Sequence, residues 1–359
     1  MRLIPDVLKM SIRLHLKRVC ICVCVVAIIM LAALSGCKRL PSKRTYVIYD
    51  CFDTVIILTA YTDDERTFNE ACEQVHEGFL YYHRLFDIYN EYEGMNNLAL
   101  LNRNAGEFVD VEPPVAELLK LGKEYAKLTD GSVNIAMGAV LKLWHECRAE
   151  AESGGEARLP DMESLREASV HCDIDDIMIE GEAVKLADPK MSVDVGAIAK
   201  GFAVDKLADE LSKYGFAWMI NCGGAVYADG AKPDGSAWSV GIEDPNGDGG
   251  FIERLALSQG ALSTSGAYLR KYIVNGREYG HIIDPETLLP ANLGSDDGSL
   301  ASVSVLCREK NSAALADAVS TACYILGAER GKSLVQSIKQ TEALFVLNDG
   351  APIKTDGFH

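Results

Sequence analysis

The chain has 359 residues, 48% of them hydrophobic and 24% charged, a balance that supports a sizeable core and excludes a disordered class. Its 52 acidic residues outnumber 35 basic ones, giving a net charge of −17. That balance excludes the clustered basic footprint of a nucleic-acid partner.

In chain order, Arg13, Lys17 and Arg18 precede an apolar stretch over residues 19–34 that is short for a membrane span and ends in Leu34-Ser35-Gly36-Cys37. A basic region, an apolar region and small residues predict an export leader over residues 1–36, starting at Met1 or Met10. The residues before the cysteine resemble a bacterial lipobox, which implies that Cys37 takes a lipid and holds the protein on the extracytoplasmic face of a cell membrane. Residues 37–44 form a basic tether. Residues 45–359 read as one domain, because no linker interrupts them. The cysteines beyond Cys37 (Cys51, Cys72, Cys147, Cys172, Cys222, Cys307, Cys323) are odd in number and scattered. They match neither a disulfide framework nor a zinc pattern and predict buried thiols.

Dense apolar alternation predicts a strand over residues 46–61. A helix follows over 65–92, where Phe68, Cys72, Val75, Phe79, Tyr82 and Phe86 recur every three or four residues. Pro113 and Pro114 open a second helix running to residue 126. Residues 150–160 read as a polar loop, 177–179 and 183–186 as short strands, and 197–214 as a helix. A glycine-rich strand region spans 216–243, with further strands at 255–257, 272–274 and 301–307. Asn311 or Ser312 is a suitable N-cap for a last helix, and a strand over 343–347 finishes the chain. Without regular strand–helix alternation the expected class is α+β, a mixed sheet flanked by helices with a ligand cleft. No Gly-x-Gly-x-x-Gly follows a strand, so the usual dinucleotide fingerprint is missing.

Four segments carry chemistry. In the first, a strand bearing Asp194 passes through Gly196 into a helix, with Lys200 one turn in; such a helix start favours phosphate, though strand–helix junctions are also common structural turns. In the second, Asp317 and Thr321 lie four apart in an apolar helix and face one side, offering hard oxygen ligands for Mg²⁺ or Ca²⁺ more than for zinc. The competing reading has Asp317 simply reaching water. The third joins Ser263-Thr264-Ser265-Gly266 to Gly280-His281-Ile282-Ile283-Asp284, where His281 is either a proton acceptor or a turn histidine bonded to Asp284. His76, His83, His145 and His171 read as residues of ordinary faces. The fourth, Asn221-Cys222-Gly223-Gly224, is explained by a turn, and nothing local activates Cys222.

Taken in order, these segments resemble the ApbE-type flavin transferase family, FAD:protein FMN transferases. The resemblance also takes in Phe52-Asp53-Thr54, Phe86-Asp87-Ile88-Tyr89-Asn90 and Thr129-Asp130-Gly131-Ser132-Val133-Asn134, and runs from about residue 46 to the end of the chain. It implies an FAD cleft with Mg²⁺ held by Asp317, Thr321 and the carbonyl of Ala197. It further implies flavin-nucleotide contacts at Phe52, Tyr89, Ser132, Val133, Asn134, Asp194, Lys200, Ser265 and Ile282, with His281 as the base. Phe52 stands where many members carry methionine. The implied reaction moves FMN from FAD to a threonine of an exported acceptor protein, a redox-complex subunit, and releases AMP. Two alternatives remain: a metal-dependent FAD pyrophosphatase yielding FMN and AMP, and a flavin-binding lipoprotein without turnover.

Overall fold

The computed structural model describes residues 39–247, 249–266, 271–292 and 298–359; the expected leader and Cys37 lie outside them. Residues 46–61, expected as one strand, form a hairpin of β1 (Lys43–Cys51) and β2 (Thr54–Tyr61), in which Cys51 pairs with Thr54 across a two-residue turn. The apolar alternation runs through both strands, and Phe52-Asp53 lacks the glycine or asparagine that usually marks such a turn. α1 (Glu65–Leu85) starts where the Asp64 carboxylate accepts from the Thr67 amide at 3.0 Å. It stops seven residues before the expected end, because the Asp87 carboxylate draws the Tyr89 and Asn90 amides into a local turn.

A short α2 (Leu98–Arg103) and β3 (Phe108–Asp110) precede α3 (Pro113–Leu128), which opens on its two prolines as expected. Residues 150–160 are loop only in part, since α4 (Gly138–Glu152) extends into them; α5 (Met162–Ser169) follows. β4 (Ile177–Glu180) and β5 (Ala183–Leu186) join β3 in a small sheet of order β3-β5-β4. After α6 (Ala199–Ser212), the glycine-rich region resolves into β6 (Ala217–Cys222), β7 (Ala225–Asp229) and β8 (Trp238–Glu243). β9 (Phe251–Leu257), β10 (Gln259–Gly266), β11 (Lys271–Val274), β12 (Arg277–Gly280) and β13 (Leu300–Cys307) come next. α7 (Ala313–Ser337) is broken at Gly327 (φ 78°, ψ 174°), and the chain continues through β14 (Thr341–Leu347) to a final β15 (Pro352–Lys354).

Eight strands form the main sheet in the order β1-β2-β6-β7-β10-β13-β14-β15, and all its ladders are antiparallel. The α+β class therefore lies in helices set against a sheet and not in strand direction. Period-two alternation divides the sheet side chains between two cores. Trp218, Ile220, Val303, Val305 and Phe345 face α1, α6 and α7. Val226, Leu262, Leu306, Leu344 and Val346 face the β8–β9 hairpin instead.

α7 is apolar nearly all round because it is buried on two sides. Ala316, Val319 and Cys323 pack on the sheet, while Ala314, Ala318 and Ala322 join a second core with α3 and the small sheet. Small residues let α6 and α7 approach closely. A Cβ on Gly201 would lie 2.3 Å from the Ala313 carbonyl oxygen and 2.6 Å from the Ala314 Cα, both backbone atoms that cannot swing away.

Gly201→Ala is therefore expected to cost about 2–3 kcal/mol in urea unfolding through overpacking. Gly250→Ala, whose Cβ would meet nothing within 4 Å, should stay within about 0.5 kcal/mol.

Candidate active site

One cavity of about 810 Å³ gathers residues from far-apart segments, a volume within the range of cofactor-sized pockets. Every residue that the sequence assigns to flavin, metal or base lines it: Phe52, Tyr89, Ser132, Val133, Asn134, Asp194, Ala197, Lys200, Ser265, His281, Ile282, Asp317 and Thr321.

Asp317 and Thr321, one turn apart on α7, form the polar floor. Asp317 is only 5% exposed, so its carboxylate needs partners. Ser263 donates to Oδ1 at 2.9 Å, the Gly201 amide donates to Oδ2 at 3.2 Å, and Lys200 Nζ stands 3.6 Å from Oδ2. Thr321 Oγ1 lies 3.2 Å from Ser265 Oγ and donates to the Asp317 carbonyl at 3.1 Å. A buried carboxylate and a hydroxyl one helical turn apart, in a cavity that Ala197 also lines, are hard oxygen donors suited to Mg²⁺ and not to a thiophilic ion. The residues present fit such an ion.

The opposite wall departs from expectation in its backbone. Asp194 is not on a strand. Its segment is held by Asn102, whose side-chain amide donates to the Val193 carbonyl at 3.0 Å and accepts from the Val193 amide at 2.8 Å. The backbone adds only isolated contacts, the Asp194 amide donating to the Ile135 carbonyl at 2.8 Å and the Gly138 amide to the Ser192 carbonyl at 2.9 Å, so the alternation Val193-Asp194-Val195 imitates a strand without forming a ladder. Asp194 Oδ1 accepts from the Gly196 amide at 2.9 Å, so the turn there is made by the aspartate; Gly196 is absent from the residues with positive φ. Asn134 spends its amide on the Cys172 carbonyl and the Ala136 amide, which fixes the loop that presents Ser132 and Val133.

Two hairpin turns sit side by side at the rim, because β2 pairs with β6. Gly223 and Gly224 adopt φ of 58° and 93°, as a two-residue turn requires, and a Cβ on Gly223 would strike Thr54 Oγ1 at 2.2 Å. In the neighbouring turn Phe52 and Asp53 adopt φ of 55° and 48° without being glycine, at a cost of about 1–2 kcal/mol each. Phe52 is held there by edge contacts with Phe79 and His83, and its amide donates to His83 Nδ1 at 3.2 Å. Phe52 thus presents an apolar ring at the cavity while strained, a signature of functional sites.

His281 directly follows β12 and lines the cavity. The Asp284 carboxylate is engaged by its own turn, accepting from the Glu286 amide and the Thr287 hydroxyl. Two histidines read as residues of ordinary faces also prove to be cavity residues. His83 supports the Phe52 turn, and His145 lies with Nδ1 2.6 Å from the Tyr89 hydroxyl. Burial lowers the His145 pKa, Asp194 opposes that shift and Arg148 adds to it. The sequence signal for His145 was its helical position with Leu141 and Arg148, which bring one side of α4 to the cavity. Cys222 is fully buried with its thiol pushed up to about 12 by burial, so it is no nucleophile.

α7 begins on an unexpected cap. Ser312 occupies the N-cap position but bonds backwards to the Cys307 and Glu309 carbonyls. The first helical amides, of Ala313 and Ala314, are taken at 2.8 and 2.9 Å by the carboxylate of Asp205 on α6. Burial is the largest influence on Asp205 and raises its pKa to about 7, against the lowering effect of those two amides; Asp209 and Asp317 raise it further.

The family model described as the ApbE family matches residues 52–345. A protein of Treponema pallidum (strain Nichols) named FAD:protein FMN transferase is 33% identical over 270 residues, covering 70% of this chain and 71% of its own. One of the same name from Vibrio cholerae serotype O1 is 27% identical over 344 residues, covering 93% and 94%. The crystal structure of the ApbE protein from Thermotoga maritima superposes with a TM-score of 0.77 at 25% identity, over 88% of this chain and 98% of that one.

The Asp205 cap makes a pH prediction. Its folded pKa of about 7 lies above the ordinary 3.8, so its contribution to stability is full below pH 3.8 and is lost as pH rises through 7. Between pH 5 and 8.5 the unfolding free energy of the native chain should fall relative to that of Asp205→Asn, by about 2–3 kcal/mol. Urea titrations of both proteins at each pH test this, and parallel curves would contradict it.

Proposed function

The chain belongs to the ApbE family, and on that premise we propose that it moves the FMN part of FAD onto a threonine hydroxyl of an acceptor protein and releases AMP. The observation that carries this reading is the single cavity lined at once by Asp317, Thr321, Lys200, Asp194 and His281. Mg²⁺, held by Asp317, Thr321 and the Ala197 carbonyl, would neutralise the pyrophosphate charge.

The remaining work falls to side chains. Lys200 adds a fixed positive charge at the floor, and the buried Ile282 and Ile283 with Val133 and Phe52 give an apolar wall for a flavin ring. The acceptor hydroxyl forms a new bond to the FMN-side phosphorus while the bond from that phosphorus to the bridging oxygen breaks, and AMP departs with that oxygen. His281 takes the hydroxyl proton, because an alcohol is a weak nucleophile without a base. With Cys37 lipidated, the enzyme would sit on the extracytoplasmic face of a cell membrane, close to exported subunits of redox complexes. Among the described residues no helix is long and apolar enough to cross a membrane.

Purified full chain in detergent, mixed with FAD, Mg²⁺ and an exported acceptor domain bearing the candidate threonine, should add an FMN-sized mass to that domain. EDTA and Asp317→Asn should each abolish the gain. His281→Ala should slow transfer by about 10²-fold or more while leaving FAD binding within a few fold. FMN and AMP accumulating with no mass gain would establish a pyrophosphatase, and bound FAD with no AMP would leave a carrier.

A further inference from the structure

A cluster of different chemistry lies outside the cavity lining. β1 carries a bulge between Ile48 and Cys51. In a regular strand the consecutive side chains of Asp50 and Cys51 would point to opposite faces. The bulge lets both converge with His76 of α1. Asp50 Oδ1 lies 2.9 Å from His76 Nε2 and 3.7 Å from Cys51 Sγ, and the three ligand atoms all fall within 4.8 Å of one another.

We propose that Asp50, Cys51 and His76 form a binding site for a thiophilic divalent cation of the zinc type, chemically separate from the oxygen-lined site at Asp317. Three observations support it. One sulfur, one nitrogen and one oxygen gathered this closely need shifts of only about 1 Å to become three corners of a tetrahedron whose edges are about 3.3–3.8 Å, leaving the fourth position for water. His76 Nδ1 lies 3.0 Å from the Tyr46 hydroxyl. When Nε2 binds metal, Nδ1–H therefore has an acceptor, the outer contact that orients a ligating imidazole. Asp50 is exposed while Cys51 is 1% exposed, so an ion enters from the Asp50 side and is held at the sulfur.

Binding replaces the Asp50–His76 hydrogen bond and forms a metal–thiolate bond, with the Cys51 proton released to solvent. A sulfur–nitrogen–oxygen set disfavours Mg²⁺, so the two sites load independently. The site also has a structural consequence. The next residue along the chain is Phe52, whose strained turn rims the cavity. An ion bridging Cys51 to His76 fastens that turn to α1, the helix that also supplies His83.

Co²⁺ added to the purified full chain at pH 8 in excess Mg²⁺ tests the site. The expected result is a thiolate-to-cobalt charge-transfer band with the visible bands of a tetrahedral ion, removed by one equivalent of Zn²⁺. Cys51→Ser and His76→Gln should each weaken the Co²⁺ affinity behind that band at least tenfold, and Cys72→Ser should leave it unchanged. Circular dichroism and FAD binding verify folding, and half-exposed His76 keeps the test open if Cys51→Ser fails to fold. No thiolate band, or a band that persists in folded His76→Gln, overturns the proposal.

Discussion

The contact between α6 and α7 is the constraint on which the rest of the structure depends. Gly201 lets the helices meet at backbone distance, and the Asp205 carboxylate holds the first amides of α7. The Gly201 amide then donates to Asp317. These three links fix the rotation of α7 about its axis, and with it the direction of Asp317 and Thr321. A helix packed on both sides cannot rotate to relieve a misplaced ligand. The polar floor is thus set by the same close packing that builds the two cores.

The cost of that design appears at the rim. Gly223 and Gly224 supply one tight turn without strain, whereas Phe52 and Asp53 make the adjacent turn in a conformation unfavourable for both. Phe79 and His83 of α1 hold Phe52 there, so the first helix after the hairpin is part of the site although its own faces carry no obvious chemistry. A metal on the neighbouring Asp50–Cys51–His76 cluster would fasten the turn to the same helix at a second point.

Much of the site was legible because its chemistry is local. Asp317 and Thr321 face one way through helical period alone, and the order of motifs from Phe52 to Thr321 named the family before any geometry was known. Failures came where a long-range partner replaced a local one. Asp194 reads as a strand residue because valines flank it, yet its segment forms no ladder and is tied down by Asn102, 91 positions away from Val193, and by single backbone bonds to Ile135 and Gly138. Ser312 reads as a cap, yet Asp205 does the capping from another helix. His145 and His83 look like face residues until α1 and α4 are placed beside one cavity. The Asp50, Cys51 and His76 spacing matches no metal pattern, because a bulge and a helix bring them together.

The sequence by itself determined the α+β class, the apolar periodicities and the family, which the order of the motifs holding Asp317, Thr321, Lys200 and His281 identifies. These follow from residue type and from spacings within one or two turns. Only the tertiary structure decided that all of them line one cavity, that the sheet is antiparallel throughout, and that Asp205 and His83 position residues that touch it. Those facts rest on contacts between residues tens to hundreds of positions apart. Such contacts form when apolar faces are buried together, and no local spacing records which faces will meet.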